Sequence, residues 1–338
     1  MKSVAGPAKN NKGFFKVLDV SLTRSCNFNC SWCNQRYDMT RPMHDMSQSP
    51  RAIVGSRIRS GKDWISGLNK FPGKIYYEKL VFSGGEPSLH PDFFDIVAKV
   101  KGYRSKVIIT NLSFDVNKLV KCCRESGSRV IVQPSFHFEF ADFDKFTEKM
   151  GILDKHRMLS RFIPVSIVDL PDRREPKEFR DKFRKRGYSV SLYKFEGYYK
   201  GEFIYADING FGSTGRKKRV SCSSVGNCVR PNGDLVFCPT DIYRDDALTY
   251  GNICDGSFRE LDLSRDCQNY GNCHISSASW IRVESLGSPG LLWSGKNFLK
   301  ANFINNLRSY CERRNYWWLG GIKQVFNALP RLKKESKR

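Results

Sequence analysis

The chain has 338 residues, a length that suits one core domain with a small appended one. The sequence contains 12 cysteines, no recognisable secretion signal and no run of eighteen apolar residues. The sequence therefore predicts a cytoplasmic protein with reduced metal ligands rather than disulfides and with no transmembrane segment. The net charge of +23 favours an anionic substrate or surface, such as nucleic acid, acidic lipid or a phosphorylated molecule. A solvated basic surface with no such partner is an equally weighted alternative.

The first predicted strand, 16–22, runs into a loop with three cysteines at short spacing, Cys26, Cys30 and Cys33. Three thiolates can bind three irons of a cubane iron–sulfur cluster and leave the fourth iron open for chemistry. Structural zinc is the competing interpretation, because closely spaced cysteines often bind zinc. Zinc needs a fourth ligand, and the nearest candidate in the sequence is His44. Both interpretations stay open on spacing alone.

The next predicted strand, 79–83, ends in a glycine turn that carries a carboxylate, Gly84-Gly85-Glu86-Pro87. Two glycines permit close backbone approaches that a side chain would forbid. Pro87 stiffens the exit, and Glu86 is presented at the carboxyl end of the strand. Taken alone, the turn has an ordinary structural interpretation. The polar segment 38–60, before this strand, is predicted to be an inserted loop near the cysteines.

The two motifs together resemble the radical S-adenosylmethionine superfamily, over roughly residues 15–275. The resemblance implies that Cys26, Cys30 and Cys33 hold a [4Fe–4S] cluster whose open iron binds the amino and carboxylate groups of S-adenosylmethionine. It implies that the motif Gly84, Gly85, Glu86 and Pro87 contacts the methionine amino group. It also implies reductive cleavage to a 5′-deoxyadenosyl radical, with electrons from a donor such as flavodoxin or ferredoxin.

Further strands and helices alternate along the first two-thirds of the chain. The strands are predicted at 106–110, 129–134, 161–168 and 189–195, and the helices near 91–102, 115–126, 142–151 and 174–186. This alternation predicts an α/β fold built from parallel βαβ units. Six units fit the partial (β/α)6 barrel that the resemblance implies, with its site at the carboxyl ends of the strands.

Polar residues follow two of these strands. Asn111 matches the position that in the family faces the ribose or methionine, and Ser135 follows the next strand. We predict both as S-adenosylmethionine contacts, although a strand-end Asn or Ser is as often a helix cap. Two residues beyond Ser135, His137 is interpreted as a packed or solvated histidine rather than a proton-transfer group.

A second cysteine set lies downstream, around a predicted hairpin with its turn at Pro231-Asn232-Gly233-Asp234. It resembles the SPASM or shorter twitch extension, which implies one auxiliary [4Fe–4S] cluster in a small cysteine-rich α+β domain. The predicted ligands are Cys222, Cys238, Cys267 and Cys273, with Cys228 and Cys254 as alternates. Zinc is the alternative here too. The remaining thiols, Cys122, Cys123 and Cys311, are interpreted as structural.

The predicted organisation is an N-terminal tail (1–14), a core barrel (15–200), an auxiliary cluster domain (201–280) and a basic amphipathic helical tail (281–338). The tail either packs on the barrel or lies on an acidic membrane surface. Three functions compete: a radical enzyme acting on a small-molecule, sugar-type or peptide substrate, a radical enzyme modifying RNA, and a non-catalytic zinc protein that binds nucleic acid. We favour the first.

Overall fold

The structure is a computed structural model that describes most of the first two-thirds of the chain and parts of the remainder. The described residues are 17–33, 58–71, 77, 79–160, 163–195, 197–199, 202–204, 220–224, 226–243, 247–258, 264–266 and 281–285. The predictions for His44, Cys267, Cys273, Cys311 and nearly all of the basic tail fall outside these residues. None of the helices within them combines the length and apolar character needed to cross a bilayer.

Helices and strands alternate through the first two hundred residues, and strands dominate thereafter. The helices are α1 (Gly61–Lys70), α2 (Phe93–Lys99), α3 (Val116–Ser126), α4 (Phe143–Lys155) and α5 (Glu175–Lys185). The early strands are β1 (Val17–Thr23), β2 (Lys79–Gly84), β3 (Ser105–Thr110), β4 (Val130–Pro134), β5 (Val165–Asp169) and β6 (Val190–Lys194). The later strands are β7 (Gly197–Tyr199), β8 (Glu202–Ile204), β9 (Val220–Ser224), β10 (Gly226–Val229), β11 (Asp234–Val236), β12 (Thr249–Asn252), β13 (Ser264–Asp266) and β14 (Ile281–Ser285).

The main sheet has seven strands in the order β12-β11-β10-β1-β2-β3-β4, and β1 to β4 are mutually parallel. The parallel pair β5–β6 continues beyond β4 through a bridge between Ser135 and Ser166. The N–H of Phe136 donates to the carbonyl of Ser166 at 2.8 Å at this junction. The predicted α/β class with parallel strands is thus confirmed, and the strand ends differ from the predicted ones by only a few residues.

Both faces of the parallel strands are buried, which is why these segments read as nearly continuous apolar runs. One face, including Leu18, Val20 and Phe82, packs in the large core that also contains residues of α1 to α4. The opposite face forms a smaller cluster that includes Val81 and Cys228. The burial of both faces fixes the register of the sheet, because a slip of one residue would exchange the two sets of side chains.

Two features of the fold did not follow from the sequence analysis. Helix α1 was not assigned, although Ser60 and Asp63 form a reciprocal capping box at its start. The hairpin strand β10 pairs in parallel with β1, with Cys228 opposite Asp19, so the hairpin extends the main sheet directly. The predicted domain boundary near residue 200 stays a prediction.

Candidate functional site

The glycine turn after β2 is joined by backbone hydrogen bonds to the start of the cysteine loop. The N–H of Gly85 donates to the carbonyl of Thr23, and the N–H of Glu86 donates to the carbonyl of Ser25, both at 2.8 Å. A Cβ on Gly84 would lie 2.1 Å from the Thr23 oxygen, and one on Gly85 would lie 2.2 Å from the Ser25 oxygen. Gly84 also has a φ of 131°. Both glycines are therefore required for this contact.

The carboxylate of Glu86 is 1% exposed and links the ends of β2 and β3. Its Oε1 accepts hydrogen bonds from the hydroxyls of Thr110 at 2.8 Å and Ser88 at 2.6 Å. Its Oε2 accepts from the backbone N–H of Asn111 at 2.8 Å. Burial raises the pKa of Glu86, while these hydrogen bonds act in the opposite direction. The side chain thus positions two strand ends, and Pro87 begins a short 3-10 turn behind it.

Asn111 connects the end of β3 to the cysteine loop. Its Nδ2 donates to Oδ1 of Asn27 at 3.0 Å, and its Oδ1 accepts from the N–H of Ser113 at 2.9 Å. The next residue, Leu112, has a φ of 57°, which is uncommon for a residue with a branched side chain. The ammonium of Lys149 donates to the Leu112 carbonyl at 2.7 Å and stabilises this turn. Asn111 is therefore directed at the residue that follows Cys26.

Beyond β4, the chain turns toward the cysteine loop. The N–H of Ser135 donates to the carbonyl of Thr110 at 2.8 Å, so Ser135 lies beside the end of β3. Two residues later, Nδ1 of His137 is 3.2 Å from Sγ of Cys30. The imidazole stacks on Trp32, with ring centroids 5.0 Å apart and planes inclined by 14°. Burial lowers the pKa of His137 to about 4.

Residues 137–140, called here the β4–α4 turn, make further contacts with the cysteine loop. Glu139 accepts from the backbone N–H of Ser31 at 2.8 Å and from its hydroxyl at 2.5 Å. Phe140 stacks on Phe28 with centroids 5.5 Å apart. The sequence analysis interpreted His137 as a packed or solvated residue and did not consider Glu139. No local pattern pairs them with residues more than a hundred positions earlier.

The end of β5 also lies against the cysteine loop. Leu170 belongs to the same buried cluster as Cys30 and Trp32, and Val168 packs against it. Two buried polar atoms here, Oδ1 of Asp169 and Nε1 of Trp32, have no hydrogen-bond partner among the described residues. Buried polar atoms are usually satisfied, so these two atoms are suited to a ligand that supplies the missing partners.

The three cysteines supply the thiol set that suits a cubane iron–sulfur cluster. Cys30 is buried, and Cys26 and Cys33 are half-buried at the same edge of the sheet. Within the described part of the chain, no three Cys, His, Asp or Glu side chains converge closely enough to hold one metal ion. A cubane does not require such convergence, because each cysteine binds a different iron. The backbone N–H of Phe28 donates to Sγ of Cys26 at 3.4 Å.

The structure separates the downstream cysteines into different locations. Cys228 lies in the middle of the sheet, and burial raises its pKa well above that of an ordinary thiol. Cys238 follows β11 and Cys254 follows β12, so these two thiols lie at opposite ends of antiparallel neighbours. Cys222 is in β9, opposite Arg265 of β13.

Comparison with known proteins relates the first part of the chain to one superfamily. The family described as the Radical SAM superfamily matches residues 20–155, which contain both motifs and the ends of β1 to β4. GTP 3′,8-cyclase of Actinobacillus succinogenes is 26% identical over 179 residues, which are 50% of this chain and 49% of that protein. The enzyme of Cronobacter sakazakii is 27% identical over 148 residues, 41% of this chain and 42% of that protein.

A shorter match, to GTP 3′,8-cyclase of Synechococcus elongatus, is 32% identical over 100 residues, 29% of this chain and 27% of that protein. The chain therefore spans about half or less of the length of these curated relatives. A crystal structure of BtrN in complex with AdoMet and 2-DOIA shares 15% identity with a TM-score of 0.37, covering 72% of this chain and 80% of that one. A TM-score below 0.5 is too low to support a shared fold.

Proposed function

We propose that this chain, whose residues 20–155 match the Radical SAM superfamily, reductively cleaves S-adenosylmethionine to a 5′-deoxyadenosyl radical that abstracts hydrogen from a substrate. The observation that carries the proposal is the backbone pairing of the cysteine loop with the glycine turn, Gly85 to Thr23 and Glu86 to Ser25. This pairing joins the start of the cysteine loop to the turn at one edge of the parallel strands, where such folds place their sites.

Each contact that the resemblance implies has a residue available at this edge. The thiolates of Cys26, Cys30 and Cys33 would hold a [4Fe–4S] cluster, which supplies the electron for the cleavage when it is bound. The turn Gly84–Pro87 offers backbone groups to the methionine amino group, since the Glu86 carboxylate is already hydrogen-bonded within the protein. Asn111 and Ser135 are proposed to contact S-adenosylmethionine from the ends of β3 and β4.

Asp169 extends this set beyond what the sequence analysis assigned. Its Oδ1 is buried without a hydrogen-bond partner among the described residues, and Asp169 ends β5, where Val168 packs in the same cluster as Trp32. A carboxylate accepts hydrogen bonds only, so it suits the hydroxyl groups of a bound ligand. In this proposal β1 to β6 form the partial (β/α)6 barrel around the site, and their parallel order supports it.

An auxiliary [4Fe–4S] cluster held by Cys222, Cys238, Cys267 and Cys273 is the second part of the proposal. Support comes from the register of β9 and β13, which pairs Ser221 with Asp266, the residue before Cys267. Cys238 follows β11, the strand that returns from the hairpin turn. Cys228 and Cys254 remain the alternates. Zinc is the competing metal, since four cysteines suit it as well.

The substrate is proposed to be a small molecule, sugar-type molecule or peptide, and the net charge of +23 supports an anionic one. Reducing equivalents would come from flavodoxin or ferredoxin. The related cyclases are named for GTP, so GTP is the first substrate to test. The charge also permits the alternative that the enzyme modifies RNA. The non-enzymatic alternative is a zinc protein that binds nucleic acid.

Anaerobic reconstitution tests the proposal directly. We expect about eight irons per chain for two cubanes, and 5′-deoxyadenosine after addition of S-adenosylmethionine and dithionite. About four irons with activity would support the first cluster and contradict the auxiliary one. Zinc without iron, and no 5′-deoxyadenosine, would contradict the proposal and favour the nucleic-acid-binding alternative.

A further inference from the structure

The imidazole of His137 is held against the sulfur of Cys30 in a defined orientation. Its Nδ1 lies 3.2 Å from Cys30 Sγ, within hydrogen-bonding range of sulfur. The ring stacks on Trp32, and the edge contact with Phe28 places the centroids 5.8 Å apart at 62°. Two aromatic neighbours on different sides fix the plane of the imidazole, and the ring plane fixes where Nδ1 points.

The backbone that carries His137 is anchored independently of this contact. The N–H of Ala141 donates to the His137 carbonyl at 2.8 Å and closes the β4–α4 turn. Glu139 holds the neighbouring Ser31 through two hydrogen bonds. The β4–α4 turn thus contacts the Cys30 sulfur through His137 and the loop that carries this sulfur through Glu139. These two contacts together define the distance between His137 and the sulfur.

The direction of the hydrogen bond follows from the chemistry of the sulfur. A cysteine that binds iron is a thiolate, which has no proton and can only accept. An imidazole nitrogen that lies within hydrogen-bonding distance of a thiolate must carry a proton to make that bond. Nδ1 must therefore be the protonated nitrogen when Cys30 binds iron.

We propose that His137 donates its Nδ1–H to the Cys30 sulfur and thereby raises the reduction potential of the cluster held by Cys26, Cys30 and Cys33. The inference rests on the proposed function, because it requires that cluster. Hydrogen bonds to ligand sulfurs are among the factors that set the potential of iron–sulfur clusters. A donor stabilises the reduced state more than the oxidised state, since reduction adds negative charge to the cluster and its sulfurs. His137 is thus a positioning and tuning residue.

The test is an EPR-monitored redox titration of the reconstituted enzyme, following the cluster signal that S-adenosylmethionine perturbs. His137→Phe keeps a ring for the Trp32 stack and removes the donor. We expect its midpoint potential to become more negative, with about a tenfold lower ratio of reduced to oxidised cluster at a fixed potential, which is about 59 mV for one electron. His137→Asn places an amide N–H near the position of Nδ1 and should restore most of the shift.

Glu139→Gln is the matched control in the same turn. It removes a negative charge near the loop without touching the sulfur, so its potential should stay unchanged or become less negative. A negative shift as large as that of His137→Phe would overturn the proposal, because loosening of the turn would then explain both. Equal potentials for the wild type and His137→Phe would overturn it as well.

A measurement on the wild-type chain keeps the inference testable if His137→Phe assembles no cluster. Pulsed EPR of protein labelled with ¹⁵N-histidine should show a nitrogen coupling to the reduced cluster, and His137→Asn should remove it. A wild-type cluster without that coupling would overturn the inference while leaving the proposed function intact. A wild-type chain that binds no iron would instead contradict the proposed function itself.

Discussion

The cysteine loop and the downstream hairpin place the same side chain in opposite environments. In the loop, Sγ of Cys26 has a backbone N–H at 3.4 Å and Sγ of Cys30 has His137 Nδ1 at 3.2 Å. In the hairpin, Cys228 is completely buried beside Asp19, and burial raises its pKa well above the usual thiol range. The sulfurs of the loop thus have polar N–H neighbours, whereas burial in the hairpin favours the neutral thiol of Cys228.

The two regions also differ in what determines their backbone. The hairpin is shaped by its own strand ladder and by its pairing with β1. The cysteine loop has no ladder of its own, and its described contacts include the ends of β2, β3 and β5 and the β4–α4 turn. A loop supported by several strand ends keeps its sulfurs at one edge of the sheet, which is what a cluster with an open iron requires.

The largest effect is expected when the three cysteines of the loop are replaced. Replacing Cys26, Cys30 and Cys33 together by Ala should abolish formation of 5′-deoxyadenosine, because no three-cysteine set would remain at this edge. The product is measured by chromatography after dithionite reduction. Cys122→Ala, in α3, is the control and should retain cleavage. Cleavage by the triple variant would refute the assignment of the loop.

The next effect concerns the contact that shapes the loop. Gly85→Ala would place a Cβ 2.2 Å from the Ser25 carbonyl and 2.5 Å from that of Arg24, so backbone must move. We expect the free energy of unfolding to fall by about 3 kcal/mol and iron incorporation to drop sharply. Gly151→Ala, in α4, has nothing within 4 Å and should instead gain about 0.5–1 kcal/mol. Urea denaturation of both variants checks the contrast.

A third prediction concerns the buried carboxyl beside Cys228. Burial raises the pKa of Asp19 to about 6, although Ser83 donates a hydrogen bond to it. The folded state therefore binds the proton more tightly than the unfolded state, and stability is lost as pH rises from about 4 to about 6. Asp19→Asn should remove this loss, worth about 3 kcal/mol at pH 7.

Urea denaturation at pH 4 and pH 7 measures the Asp19 effect. Asp181→Asn is the control on the exposed surface of α5, where a hydrogen bond from Arg180 lowers the pKa of Asp181. Removing the Asp181 carboxylate should change the pH dependence of the free energy of unfolding in the opposite direction. The change should be small, because solvent screens this exposed pair. Parallel pH profiles for the wild type and Asp19→Asn would contradict the expected role of burial.

The smallest expected effect on cleavage belongs to the hairpin. Cys238→Ser should lower the iron content from about eight to about four per chain and impair substrate turnover, while 5′-deoxyadenosine formation is partly kept. Cys254→Ser should leave the iron content unchanged, since Cys254 lies at the other end of the hairpin strands. If Cys254→Ser loses iron and Cys238→Ser does not, the alternate ligand set is correct. Iron and sulfide analysis decides between them.

Local patterns were sufficient for β1 to β6, for α2 to α5 and for the two motifs. The apolar runs placed β1 to β6, and the spacing of Cys26, Cys30 and Cys33 with the glycine turn predicted the candidate site. Helix α1 was recoverable as well, because the Ser60–Asp63 capping box is a local signal. These features follow from the sequence because periodicity, caps and turns depend on residues only a few positions apart.

Only the tertiary structure decided which distant residues complete the site. It bonded Glu86 to Thr110 and Asn111, brought His137 and Glu139 to the cysteine loop, and paired β10 with β1. Parallel strands gather their carboxyl ends at one edge whatever the length of chain between them. The sequence therefore determined the strands and the motif chemistry by itself. The contacts across that edge depend on register and packing between distant segments, and no local pattern in the sequence encodes them.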